Sequence, residues 1–197
     1  MDLKAKKNSI VNTNKSGKTL RWSVTILILC YFASPVFSAG KKGSSNKMFG
    51  LVREGVASAT VVLGSKATDL ELHAAEELRK YVHKMTGAEL PIVRETEPGA
   101  EKASSLILIG RSETHDMIKT LCKKSLINLS SDFPGGEGFI LKTLSTPKRS
   151  MLVIGGSVDY STLYGVYELL GRFGKVGFFR YEERVPKVKS FLIHKSM

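Results

Sequence analysis

The groups able to do chemistry in this chain are 18 carboxylates, four histidines and two cysteines, set among 30 lysines and arginines in 197 residues. Hydrolysis by paired carboxylates asks for two of them about 5 to 10 Å apart across a cleft, one with a raised pKa. Asp69, Glu71, Glu76 and Glu77 instead crowd one segment and are followed by Arg79, Lys80 and Lys84, the charge order of a solvated helix. Glu137, Asp159 and Glu168 stand singly near the ends of other elements, where turn, cap and surface roles are commoner than catalysis. No serine occupies a G-x-S-x-G elbow, since Gly110-Arg111-Ser112 lacks the second glycine.

Metal chemistry fares no better. His73, His83, His115 and His194 are scattered, Cys30 and Cys122 are far apart, and neither C-x-x-C nor H-E-x-x-H occurs. No metal site, cofactor site or catalytic constellation is therefore assigned. Gly155-Gly156-Ser157 joins a strand to a helix start, where free amides can hold an anion, but it lacks the lysine of a P-loop and the spacing of a dinucleotide fingerprint. A tight turn with Ser157 or Asp159 capping the helix is the expectation. Asn128-Leu129-Ser130 has the form of a glycosylation acceptor, a triplet that chance produces often. Sugar-stacking aromatics are few: Trp22 lies in the leader, and helical spacing turns Tyr81 and Tyr167 inward, leaving Tyr160 and Tyr181 as weak candidates.

The elements that must position these groups begin after an export segment. Lys4, Lys6, Lys7, Lys15, Lys18 and Arg21 precede Trp22 to Phe37, a run without charge, and Val36 and Ser38 are the small residues of a cleavage site after Ser38. Residues 1–38 read as a signal peptide and 39–49 as a linker, which makes the protein secreted or periplasmic. The rival reading is an uncleaved anchor, although sixteen residues span only about 24 Å. Leu29 is too bulky for a lipid-attachment motif at Cys30. Much of the +12 formal charge thus belongs to the leader. Most of the rest lies in Arg172, Lys175, Arg180, Arg184, Lys187, Lys189 and Lys195, where a solvated strand edge explains it better than nucleic acid does.

The fold is expected to begin near Met48. Ala59 to Leu63 reads as a buried strand, and Thr68-Asp69-Leu70-Glu71 as a capping box opening a helix that Gly87 ends. Leu70, Ala74, Leu78, Tyr81, Val82 and Met85 form its inward stripe. Leu90 to Val93 reads as an edge strand, Ser105 to Ile109 as a buried one and Glu113 to Lys124 as a weaker helix. Gly138 to Thr143 and Met151 to Ile154 are placed to pair as a hairpin, followed by a helix over 159–173 and strands near 176–180 and 188–193. The expected class is α+β, an α/β sandwich, with a mixed β-sheet and helices packed mainly on one face.

Across residues 50–195 these segments resemble one family. Ala74-Ala75-Glu76-Glu77-Leu78, Thr86-Gly87-Ala88 with Leu90-Pro91-Ile92, and Thr162-Leu163-Tyr164-Gly165-Val166-Tyr167-Glu168 carry a resemblance to the N-terminal domain of family-67 α-glucuronidases, a shape shared with the second domain of β-hexosaminidases. Phe178-Phe179 departs from that pattern, in which an Arg-Trp or similar pair is common. The resemblance implies a sheet domain packed beside a following (β/α)₈ barrel that holds the catalytic carboxylates, so none can be carried over to this chain. It implies an exported, non-catalytic accessory domain in xylan-type carbohydrate metabolism, truncated or partnered with a separate catalytic chain. The alternative is a stand-alone secreted module binding acidic polysaccharide. Neither reading involves nucleic acid, and the membrane enters only through the leader.

Overall fold

The computed structural model describes residues 48–195, so the expected signal segment and most of the expected linker lie outside the described residues. The first strand, β1 (Met48–Arg53), opens at the expected start and leads through β2 (Val56–Ala57) into β3 (Thr60–Leu63). Then follow α1 (Asp69–Thr86), β4 (Ile92–Arg94), α2 (Pro98–Lys102), β5 (Ser105–Gly110) and α3 (Asp116–Lys123). The hairpin β6 (Phe139–Ser145) and β7 (Ser150–Gly156) precedes α4 (Asp159–Glu168), which widens into a π-helical turn, Leu169–Phe173. The chain closes with β8 (Gly177–Phe178), β9 (Glu183–Arg184) and β10 (Phe191–His194).

The main sheet has the order β4-β3-β5-β7-β6. Its first four strands are parallel, and β6 returns antiparallel to β7 in register from Phe139↔Gly156 to Ser145↔Ser150. The chain steps from β3 out to β4, then crosses back over β3 to reach β5. Since right-handed crossovers put helices on opposite faces when the direction of winding reverses, both faces become covered. The two long helices, α1 and α4, cover the face of Val61, Leu63, Ile107, Ile109, Leu152 and Ile154. The shorter α2 and α3, with Ile127 and Leu129, cover Val62, Leu106, Leu108, Met151 and Val153. The mixed sheet is the one the strand and helix alternation predicts; the two long helices share one face as expected, and the two short ones cover the other because the winding reverses at β4.

Helix α1 starts as the capping box requires: Thr68 Oγ1 accepts from Glu71 N at 3.2 Å, and Thr68 N donates to Glu71 Oε2 at 3.0 Å. It ends at Gly87, whose φ of 78° is the left-handed conformation that glycine adopts without strain. Its inward stripe differs from expectation in the first turn. Leu70 is 37% exposed, while Glu71 is fully buried, because that turn projects beyond the apolar sheet over polar strand ends. Glu77 is buried as well, so two of the four helix acids leave the solvated face predicted for them.

A second, antiparallel sheet of order β10-β1-β2 seals the end of the α1/α4 layer with Phe49, Leu51, Val52, Phe191 and Ile193. A bulge in β1 between Gly50 and Val52 turns successive residues Leu51 and Val52 into the same core. The strands expected near 176–180 and 188–193 contract to β8 and β10, while β2, α2 and β9 had no sequence signal strong enough to predict. No helix of the described residues is long and apolar enough to cross a membrane.

Candidate functional site

In an open parallel sheet, ligands are held beyond the C-terminal ends of strands whose connections leave to opposite faces, which here means β3 and β5. The loops after both strands are glycine-gated. Gly110 holds φ at +148°, and a Cβ on Gly64 would collide with the Thr114 carbonyl. Into this crevice α1 lowers Glu71. Its Oε1 accepts from Thr114 Oγ1 at 2.6 Å and from Arg111 Nε at 3.2 Å, while Oε2 serves the helix cap. Thr68 Oγ1 donates to Asp159 Oδ1 at 2.5 Å, and Arg111 reaches toward the same carboxylate at 3.9 Å. The chain's own carboxylate occupies the place a ligand anion would take beside Arg111.

A second buried pair lies one loop away. His115 is fully buried, with Nε2 3.2 Å from the Val62 carbonyl and Nδ1 2.8 Å from Glu95 Oε2, an approach poorly aligned for a hydrogen bond. Both ring nitrogens therefore face acceptors, an arrangement that suits the charged ring. Burial nonetheless pushes the His115 pKa below its ordinary value, more than Glu95 and the Val62 carbonyl raise it. For Glu95 burial acts upward, but donation from Ser65 N, Asp116 N and Met117 N, helped by His115, brings its carboxyl below the usual range. Glu95 thus caps α3 from outside, and His115 has no open path to a substrate. A shallow groove of about 420 Å³, lined by Glu95, Met117, Leu121 and Met151 among others, runs past this pair over α3.

The outer face of α1 and α4 carries a different cluster. Phe178 of β8 sits edge-on between Tyr81 and Tyr167, with ring centroids 5.2 and 5.1 Å away. Glu183 of β9 accepts from Tyr81 Oη at 2.6 Å and pairs with Lys84, contacts that hold its carboxyl below the usual range. Tyr167 donates to Glu77 at 2.9 Å, and burial together with that carboxylate pushes its phenol up to about 12. Around this clasp Phe179 is 56% and Tyr181 90% exposed. Tyr160 and Tyr164 make a second exposed pair, 5.6 Å apart and tilted by 57°.

The other sequence candidates stay apart. Glu137 is exposed in a turn, and Glu168 faces Arg172 at 3.7 Å. Neither Ser157 nor Asp159 caps α4. Ser157 Oγ donates to the Gly136 and Gly138 carbonyls, Asp159 serves Thr68, and Ser161 Oγ instead accepts from Val158 N at 3.1 Å. The reason is geometric, since the strand-to-helix turn leaves Ser157 facing the β6 approach. Cys122 donates to the Leu129 carbonyl, and His73, His83 and His194 are exposed. Among the described residues no three potential ligands gather as a metal centre. Sequence reasoning missed Glu71, Arg111, Thr114, Glu95 and His115, which nothing in their local spacing connects.

Comparison with known proteins gives one family and one fold. Residues 52–169 match the model of the glycosyl hydrolase family 67 N-terminus, a stretch running from β1 into the end of α4. No curated protein matches the sequence. Among solved structures, a family GH115 4-O-methyl-alpha-glucuronidase with specificity for decorated arabinogalactans is similar, with a TM-score of 0.53 at 16% identity. The match covers 76% of this chain but only 18% of that one. At this identity the likeness is one of fold.

Proposed function

The chain belongs to the glycosyl hydrolase family 67 N-terminus family, and from that premise we propose that it is an exported, non-catalytic accessory domain of an α-glucuronidase-type glycoside hydrolase. Its partner is a (β/α)₈ catalytic barrel, joined in the same chain or encoded apart, and its setting is the breakdown of xylan-type polysaccharide. The observation that carries the reading is the family match across the sheet and both long helices. The local chemistry agrees with it: Glu71, Glu77 and Glu95 are each engaged by donors of the chain itself. The exposed Phe179, Tyr181 and Arg180 supply the residue types that dominate protein interfaces.

The test is turnover by the purified chain on aryl glucuronides and aryl hexosaminides, with none expected. Turnover abolished by replacing one carboxylate overturns the proposal. A second reading, a module binding acidic polysaccharide, draws on the Tyr160–Tyr164 pair and on a groove of about 590 Å³ lined by His83, Lys84, Lys187 and Lys189. Salt-sensitive retention on glucuronoxylan, absent on neutral xylan, would favour it.

A further inference from the structure

The opposite, N-terminal edge of the main sheet holds a partly open pocket of about 170 Å³ lined by Arg53, Lys195, Ser58, Ser105 and Ser150, with Met48, Phe49 and Gly50. Ser105 and Ser150 stand side by side as the first paired residues of parallel β5 and β7. Lys195 Nζ donates to Ser150 Oγ at 3.3 Å, and Ser58 Oγ donates to the Gly50 carbonyl at 3.0 Å. The β1 bulge brings Arg53 back onto the Gly50 side of the strand, and its guanidinium folds across Gly50 so closely that a Cβ there would lie 2.7 Å from Nε.

Two basic side chains, Arg53 and Lys195, line this pocket with no carboxylate among its other lining residues. Arg79, Lys80, Lys84, Arg111 and Arg172 each have a carboxylate partner. Among the described residues, no carboxylate lines this pocket and neither Arg53 nor Lys195 forms an ion pair. The nearest acid in sequence, Glu54, is turned away and accepts from Ser190 Oγ. Arg53 is exposed and Lys195 half-buried, and two cations lining one partly open pocket beside hydroxyls favour a negative charge between them. The volume equals that of about five or six waters at roughly 30 Å³ each, enough for one tetrahedral oxyanion or the carboxylate end of a larger molecule.

We propose that this pocket is an oxyanion site, in which Arg53 and Lys195 supply charge and the hydroxyls of Ser105 and Ser150 supply further donors. Gly50 is its positioning residue, because only a missing side chain lets the guanidinium cross the strand. The site stands independently of the accessory-domain reading, and its failure would leave that reading untouched.

Sodium phosphate and, separately, sodium glucuronate are titrated into the full chain at constant ionic strength, following the amide resonances of Gly50, Ser105 and Ser150. Saturable shifts are expected, with affinity reduced about tenfold in Arg53→Gln and in Lys195→Gln, the loss of one charge-assisted contact. Gly50→Ala is expected to weaken binding while leaving the melting temperature unchanged, since its Cβ meets only the mobile end of a side chain. Tighter saturation by phosphate assigns a free inorganic anion, and tighter saturation by glucuronate assigns the carboxylate of an acidic sugar. Shifts that never saturate, or affinities unchanged in both charge variants, overturn the proposal.

Discussion

Tyr81 and Glu183, 102 positions apart, meet through a 2.6 Å hydrogen bond that fastens the β8–β9 hairpin to the C-terminal third of α1. Lys84 pairs with the same carboxylate, and Phe178 fills the space between Tyr81 and Tyr167. The hairpin itself has only two residues per strand, too few to hold together unaided.

Replacing Tyr81 by Phe keeps the ring packing and deletes the bond. Hydrogen exchange over residues 177–184 is expected to accelerate while the main sheet keeps its protection. Unchanged exchange in the hairpin would show that Phe178 alone fixes it.

Glu71 and Arg111 form a buried pair in which one partner alone is costly. Glu71→Ala leaves the guanidinium, 20% exposed, with only the more distant Asp159 carboxylate and also removes the α1 cap, and is expected to destabilise by about 3 kcal/mol in urea denaturation. In a double-mutant cycle the loss from Arg111→Ala should be much smaller once Glu71 is gone. Additive losses would mean the two act separately.

Acid should unfold the protein through His115 and Glu95 in turn. The His115 pKa lies below 6.5 in the folded state, so the unfolded chain binds the proton first and stability falls as pH drops below about 6.5. Glu95 lies below 4.5, so its contribution is complete above that value and disappears as pH falls through the folded pKa. Melting temperature measured from pH 8 to pH 3 should therefore decline in two stages. His115→Gln should flatten the upper stage and Glu95→Gln the lower one.

Two glycines separate conformational strain from collision. At Gly87 a Cβ meets nothing within 4 Å, so Gly87→Ala should lose about 1 kcal/mol through its positive φ alone. At Gly64 the added carbon runs into backbone that cannot swing aside, and Gly64→Ala should lose several times as much. Equal losses at the two positions would contradict the close approach of the β3 and β5 loops.

The sequence made the long elements readable because each carries redundant signals. Helix α1 has a capping box, an apolar stripe and a terminal glycine, and β5 is an unbroken apolar run between turn residues. Elements of two or five residues, such as β2, β9 and α2, hold too few positions for any period to appear. The polar clusters were hidden for another reason: Glu71 lies 40 positions from Arg111, and its capping-box role gave a sufficient local account of it. Only the crossover from β4 to β5 brings those residues together. Leu70 misled because helical spacing says which residues share a face, not how far along the helix that face is covered.

The pairing of β1 with β10, Met48 opposite His194, has a consequence for how the protein is made. Phe191 and Ile193 finish a core that Phe49, Leu51 and Val52 began, so during synthesis β1 waits for β10, the most distant strand among the described residues. Until then the edge of β1 that β2 does not cover stays open, and chain closure over nearly the whole domain makes this the slowest strand pairing to form. A circular permutant joining residue 195 to residue 48 would turn that longest-range contact into a local hairpin, allowing the seal to form early in folding.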